Sequence, residues 1–270
     1  MNAEARPQTV LDLIAMKAAG RRIVMLTCYD AAFARLLEQA GVDVLLVGDS
    51  LNQVLAGHET TLSATLDQMI YHAAAVRRGA RRTLVFVDLP FLTYQVSIQD
   101  AIRNAGRVLQ EAGVHGVKLE GGRHMAETVE ALVERGIPVV GHLGLTPQSV
   151  HALGGYRVQG RDEQSADRLL ADAKALESAG ACAIVLELIP SAVAARISKG
   201  LSIPTIGIGA GAQCDGQVLV LHDMLGLNEQ FAPKFLKHYA KLGDSVRTAV
   251  QSFASEVRDG KYPGKEHSFE

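Results

Sequence analysis

Hydrophobic and polar positions along this chain alternate between two patterns. Short, nearly unbroken runs of Val, Leu and Ile are separated by longer segments in which apolar residues recur every three or four positions. The short runs read as strands: Ile23 to Asp30, VLLVGDS, LVFVDLP, GVKLEGG, IPVVGHLG, IVLELIP, IPTIGIGAG and Gln217 to Leu225. A strand that is apolar on both faces needs cover on both, which predicts a parallel sheet with helices packed outside it. Six helix-like segments end at glycine (Gly41, Gly79, Gly113, Gly136, Gly180 and Gly200) with a strand run close behind. Glycine suits the left-handed turn that stops a helix.

Eight strands alternating with helices predict a (β/α)8 barrel, a single domain over residues 1–270 with an N-terminal helix and further helices over about 230–258. A doubly wound open sheet is the alternative, but TCYDAAF stands where its GxGxxG turn belongs. Irregular spacing of the glycines excludes a tandem solenoid. Within the helices, Ser97 with Asp100 forms a capping pattern ahead of an apolar face (Ile98, Ala101, Ile102, Ala105, Val108, Leu109), and Ser165 and Ser191 are expected to cap later helices.

Four strand runs close on an acid: Asp49, Asp88, Glu120 and Glu187. In a parallel barrel these carboxylates gather at the carboxyl rim, together with Ser50, Lys118 and His142. Lys118 and Glu120 are two apart and share one side of their strand. Side-by-side carboxylates are unfavourable through desolvation and repulsion unless a cation or protons compensate. Oxygen ligands from Asp49, Asp88 and Glu120 suit Mg²⁺, while nine histidines without an HxH or HExxH pattern disfavour zinc. A single acid of this kind would be equally well explained by an ion pair; four at equivalent positions favour a site. His142, at a strand end beside glycines, is read as a site residue over a satisfied core histidine. Ser50 reads as a helix cap, a site residue or both, and GIGAG as a phosphate turn or a plain tight turn.

Composition narrows the classes. At 270 residues, 48% hydrophobic and net charge -2, the chain can bury a large core and offers no basic surface for nucleic acid. No apolar stretch approaches the roughly 18 residues of a membrane span. MNAEARPQ carries Glu4 and Arg6 and does not resemble a secretory leader, so a cytoplasmic location is expected. Cys28, Cys182 and Cys214 have no CxxC spacing and read as reduced structural residues. The Arg77, Arg78, Arg81 and Arg82 cluster reads as a solvated helix end, with anion capture as the weaker reading.

The motifs VGDSL, GHETTL, YHAAAVRRGA, DLPF, VKLEGG, GHLGLTPQSV, GGYRVQGR, IGIGAG, DGQVLVLHDMLG and YPGKEHSF, in this order, closely resemble the ketopantoate hydroxymethyltransferase family. The resemblance runs from about Thr27 to the tail. It implies a Mg²⁺-dependent barrel enzyme of pantothenate biosynthesis, which transfers a one-carbon unit from 5,10-methylenetetrahydrofolate to 3-methyl-2-oxobutanoate to give 2-dehydropantoate. By motif, Asp49, Asp88 and Glu120 correspond to the metal-site acids, Ser50, Lys118 and His142 to contacts with the oxo acid, in which Asp49 and Asp88 also share, and Glu187 to the base. A large homo-oligomer, commonly a decamer, is implied as well. One departure is Asn52-Gln53, where many members have Gly-Met, which is expected to reshape the pocket lip and the folate contact there. Two other readings remain: an enolate enzyme of the isocitrate lyase and phosphoenolpyruvate mutase type, whose KKCGH-like segment is absent, and a non-catalytic barrel that binds an oxo acid.

Overall fold

A computed structural model of the chain describes residues 6–269; Glu4 of MNAEARPQ and Glu270 of the tail lie outside the described residues. Eight parallel strands close into a barrel in sequence order: β1 (Ile23–Thr27), β2 (Val44–Val47), β3 (Leu84–Asp88), β4 (Gly116–Glu120), β5 (Val139–Gly144), β6 (Ala183–Glu187), β7 (Thr205–Ile208) and β8 (Gly216–Leu219). The helices are α1 (Val10–Ala18), α2 (Ala31–Gln39), α3 (Leu51–Val54), α4 (Leu66–Gly79), α5 (Ile98–Ala112), α6 (Ala126–Val133), α7 (Glu163–Ser178), α8 (Ser191–Gly200), α9 (Leu221–Met224) and α10 (Leu242–Arg258). Two compact units divide the chain, Met1–Val220 with the whole barrel and Leu221–Glu270.

Strand alternation sorts the barrel interior into layers. Val44, Leu46, Leu84, Phe86, Val140, Val185, Ile206 and Val218 fill the lower interior as one apolar cluster. Two residues further along the same inward faces stand Asp88 after Phe86, His142 after Val140 and Glu187 after Val185. A period of two thus carries each strand from a greasy floor to an ionisable rim. Leu13 and Met16 of α1 join the same apolar cluster, so α1 packs on its amino-terminal side. Lys17 Nζ anchors that helix, donating to Ser198 O at 2.8 Å, Ile203 O at 2.9 Å and Asp215 Oδ2 at 2.9 Å.

Helix ends show which local signals were decisive. Asp30 accepts from Ala32 N and Phe33 N at 2.8 Å to start α2, and Ser97 accepts from Asp100 N to start α5 as expected. Asp162, not Ser165, caps α7: its Oδ1 accepts from Ser165 N at 2.8 Å, and a carboxylate is the stronger acceptor for that orphan N–H. Ser191 is the first helical residue of α8, behind Pro190, and makes no cap hydrogen bond. Gly41, Gly113, Gly136 and Gly180 do adopt positive φ, but Gly79 and Gly200 do not. A Cβ on Gly79 would lie 2.3 Å from Ala31 O, so that glycine serves the close approach of α4 to α2. Arg77 donates to Gly113 O at 3.0 Å and Ala80 O at 2.7 Å, in keeping with the helix-end reading of its cluster.

Two expectations for the end of the chain are corrected. The eighth strand stops at Leu219, and Leu221–Met224 is helical rather than a continuation of the strand. Only Leu242–Arg258 forms a regular helix in the segment read as helices from about 230; the stretch before it is a series of turns. Pro233 lies there, with no N–H for a helix and a restricted preceding residue. Turn hydrogen bonds from Phe231 N to Asn228 O and from Leu236 N to Pro233 O replace the helical ladder.

Lys17 lies at the opposite end of the barrel from the acids, so its loss separates stability from chemistry. Lys17→Met is expected to cost roughly 1.5–3 kcal/mol, the range for hydrogen bonds to a charged group, in urea unfolding, with substrate KM unchanged. A second device recurs twice: Glu38 accepts from Arg82 N at 2.7 Å and Thr83 N at 3.0 Å, and Glu177 from Ser202 N at 2.6 Å and Ile203 N at 3.2 Å. Burial pulls both carboxyls upward, but these hydrogen bonds outweigh it and hold both below their ordinary 4.5. Their contribution is therefore present above that value and lost as pH falls through the folded-state pKa. The double variant E38Q/E177Q is expected to show a shallower loss of stability than the wild type below about pH 4.5, read as Tm against pH.

Candidate active site

Neighbouring strand ends set the first distances. Asp88 is in register with Lys118, Glu120 with His142, and Gly144 with Glu187. Asp49 arrives from the turn after β2, where a Cβ on Gly48 would come within 2.8 Å of Ser50 Oγ and 3.6 Å of Asp88 Oδ2. Glycine there admits the turn to the rim. Asp49 N then donates to Asp88 Oδ2 at 3.1 Å. A Cβ on Gly144 would fall 2.1 Å from Glu187 O, so the end of β5 passes Glu187 only as glycine. Leu188, directly after Glu187, takes the left-handed φ of 45°, uncommon for a leucine, and its N–H donates to Ile208 O at 2.9 Å.

The structure brings Asp49, Asp88, Lys118, Glu120 and His142 together, and all five are buried, at 2–6% exposure. Each acid has one oxygen held by the protein. Asp88 Oδ2 accepts from Asp49 N, Asp49 Oδ2 from Gln148 Nε2 at 2.9 Å, and Glu120 Oε2 from Gln148 N at 3.0 Å. The other oxygens are less well satisfied. Asp88 Oδ1 lies 3.0 Å from Lys118 Nζ and Glu120 Oε1 3.5 Å from His142 Nδ1, but neither accepts a well-formed hydrogen bond.

Charge does not balance in this cluster. Three carboxylates face one ammonium, so the ionised set carries an excess of two negative charges. Burial, then repulsion from Asp88 and Glu120, pushes the Asp49 carboxyl well above the usual carboxylate range, against the pull of Lys118 and Gln148. Burial raises Asp88 too, tempered by Lys118 and the Asp49 N–H. Lys118 is driven down by burial but further up by Asp88, Glu120 and Asp49, and stays cationic.

His142 joins this cluster to Glu187. Its Nδ1 lies 3.1 Å from Lys118 Nζ and its Nε2 3.3 Å from Glu187 Oε2. Burial and Lys118 lower its pKa, and Glu120 and Glu187 outweigh them. The neutral ring accepts from Lys118 at Nδ1 and keeps its proton on Nε2, facing Glu187; the imidazolium turns both N–H groups toward carboxylates. Glu187 is more open than the others, with its side chain 17% exposed. Ser50 precedes α3 without capping it by its side chain; its Oγ lies 2.9 Å from Tyr29 Oη.

Three residues of the site carried no sequence signal that singled them out. Gln148 lies inside GHLGLTPQSV, Tyr29 inside the first strand run, and Tyr94 in the segment after DLPF, none with a spacing that marks it. Tyr94 Oη nevertheless donates to Gln148 Oε1 at 2.8 Å and accepts from Glu120 N at 3.0 Å. At the lip, Asn52 Nδ2 holds Thr60 O at 2.7 Å and Ser63 Oγ at 2.9 Å, while Gln53 Nε2 donates to Glu59 O at 3.0 Å and Tyr156 Oη at 3.2 Å. The Asn52-Gln53 pair thus ties the loop after β2 to itself and to the loop after β5.

Among the described residues, no group of three or more His, Cys, Asp and Glu side chains is assembled to hold a metal ion. The donors nevertheless fit a hard divalent cation: the acids offer oxygen only, Glu120 Oε1 is buried without a hydrogen bond, and the excess charge equals that of one such ion. No helix among the described residues is long and apolar enough to cross a membrane.

The family model described as ketopantoate hydroxymethyltransferase matches residues 7–265. The 3-methyl-2-oxobutanoate hydroxymethyltransferase of Syntrophus aciditrophicus is 54% identical over 99% of this chain and 98% of its own. That of Pelobacter propionicus is 55% identical over 97% of each. Among solved structures, a phosphoenolpyruvate phosphomutase from Streptomyces platensis superposes with a TM-score of 0.63 at 16% identity, covering 97% of this chain and 92% of its own. A 2,3-dimethylmalate lyase of the PEP mutase/isocitrate lyase superfamily gives 0.59 at 17%, covering 96% and 91%. At such identities the likeness is one of fold. The family match spans the barrel and the rim residues alike, and the chain belongs to the ketopantoate hydroxymethyltransferase family.

Proposed function

We propose that this chain, a transferase by family, carries a hydroxymethyl group from 5,10-methylenetetrahydrofolate to 3-methyl-2-oxobutanoate, forming 2-dehydropantoate, with Mg²⁺ held by Asp49, Asp88 and Glu120. The names of its relatives support the oxo acid and the transfer. The observation that carries the reading is the buried carboxylate cluster, with an excess of two negative charges, set beside the His142–Glu187 pair. A bound Mg²⁺ would neutralise that excess and polarise an oxo acid's carbonyl.

The protein's own residues account for the proton and the developing charge. Lys118, a buried cation 3.0 Å from Asp88 Oδ1, is placed to stabilise negative charge growing on the carbonyl oxygen. Ser50 Oγ, held by Tyr29, offers a hydroxyl to the substrate carboxylate. Glu187 removes the C3 proton onto its carboxylate, steered by His142 Nε2. The C3 carbanion then bonds to the methylene carbon of the opened folate iminium, in which the first of the two carbon–nitrogen bonds is already broken. Water supplies the hydroxyl as the second breaks, and the proton taken from C3 and one from water end on the two folate nitrogens. Self-association belongs to the same reading, supported by the exposed Val246, Val250, Phe253 and Val257 along one side of α10. A cytoplasmic location goes with it.

In D₂O with Mg²⁺ and no folate, the C3 hydrogen of 3-methyl-2-oxobutanoate is expected to exchange, followed by proton NMR. Glu187→Gln should slow that exchange by roughly 100-fold or more, the scale of general-base catalysis. Undiminished exchange in the variant would remove Glu187 from the role of base. Metal binding has its own readout. Mg²⁺ at about 100 times Kd should stabilise the chelator-treated wild type by about 2.7 kcal/mol, seen as a rise in Tm. Asp49→Asn should abolish most of that rise. Because the Asp49 pKa is raised, ionisation of this group costs stability as pH climbs through it, so the metal-free variant should melt above the metal-free wild type at pH 8. Equal Mg²⁺ responses would dismiss Asp49 as a ligand.

A further inference from the structure

Gln148 is 5% exposed and has every hydrogen-bonding group of its side chain engaged. Its two amide N–H groups go to Asp49 Oδ2 and Leu89 O, both at 2.9 Å. Its carbonyl oxygen accepts from Tyr94 Oη at 2.8 Å and from Gln95 Nε2 at 3.1 Å. Its backbone N–H holds Glu120 Oε2 at 3.0 Å. One residue therefore holds two of the three acids, one through its side chain and one through its main chain.

The amide admits only one orientation here. Reversed, its oxygen would face the Asp49 carboxylate and the Leu89 carbonyl, and its N–H groups would meet the Gln95 N–H donor. Tyr94 braces the arrangement from behind, because the hydroxyl that donates to Gln148 also accepts from Glu120 N. The consequence is a division of labour between oxygens. Asp49 Oδ2 and Glu120 Oε2 are committed to Gln148, and Glu120 Oε1 is left buried without a hydrogen bond.

We infer that Gln148 is a positioning residue for the metal-site acids: with Tyr94 as its brace, it fixes the carboxylates of Asp49 and Glu120 so that one oxygen of each remains for a divalent cation. The inference rests on the Mg²⁺ reading proposed above. Residues that orient metal ligands from behind typically change affinity by roughly 10- to 100-fold when removed. The Leu89 carbonyl that Gln148 also satisfies makes a purely structural role the competing account. That role would lower the Tm of the metal-free protein without changing affinity in the folded state.

The test is Mg²⁺ titration calorimetry on the full chain, well below Tm, with circular dichroism reporting the fold. Gln148→Met keeps length and bulk without hydrogen bonds and is expected to weaken Mg²⁺ binding roughly 10- to 100-fold while folded. Wild-type affinity in folded Gln148→Met would overturn the inference. Should that variant fail to fold, Tyr94→Phe removes only the brace and is read identically: several-fold weaker binding supports the role, and unchanged binding overturns it. A wild type that binds no Mg²⁺ would instead take down the metal reading, and this inference with it.

Discussion

Three carboxylates buried at one rim of an apolar barrel, with a single lysine to answer them, constrain this protein more than any other feature. Water would solvate such a cluster at little cost, but here the rim sits directly on a packed floor of Val, Leu and Phe. Every donor that reaches the acids therefore matters: the Asp49 N–H on Asp88, the Gln148 amide and N–H on Asp49 and Glu120, and Lys118 against Asp88. Even so, the carboxyls of Asp49 and Asp88 stay above their ordinary range. Protons or a cation would relieve such a cluster, and the surrounding hydrogen bonds hold its oxygens in place meanwhile.

The rigidity has identifiable sources. Strand register puts Asp88 beside Lys118 and Glu120 beside His142 without any loop flexibility between them. Glycine at Gly48 and Gly144 lets two backbone segments approach more closely than any side chain would permit. At the far end Leu13, Met16 and Lys17 fasten α1 to the barrel, and Glu38 and Glu177 tie helix ends to the loops that lead into β3 and β7. The rim itself is bounded by Gln53 and Tyr156, whose contact joins two loops 103 residues apart.

Lys118 and His142 show why neighbouring groups cannot be read one at a time. Lysine alone would be expected to lose its proton on burial, yet three acids keep it charged. Its ammonium in turn opposes a second charge on His142, while Glu120 and Glu187 favour it. The histidine thus has two hydrogen-bonding arrangements that differ at Nδ1, which accepts from Lys118 in one and turns an N–H toward Glu120 in the other, while its Nε2 proton faces Glu187 in both.

Much of this was legible in the chain itself. Apolar runs closing on Asp49, Asp88, Glu120 and Glu187 predicted both the barrel and the rim, because strand alternation is a local property and parallel strands end on one side together. The same locality explains the successful cap at Ser97 and the failures at Ser165 and Ser191, where Asp162 and Pro190 stand at the positions that mattered. Gly79 looked like a turn residue and proved to be a packing residue, since only a folded neighbour reveals a close approach. Gln148 and Tyr94 were out of reach for the same reason: their partners lie 99 and 26 residues away. By itself, the sequence determined which side chains stand at the strand ends. Which of their oxygens are held, and which left over, was decided only when the tertiary fold brought distant donors within hydrogen-bonding range, because such bonds depend on distances that no linear spacing encodes.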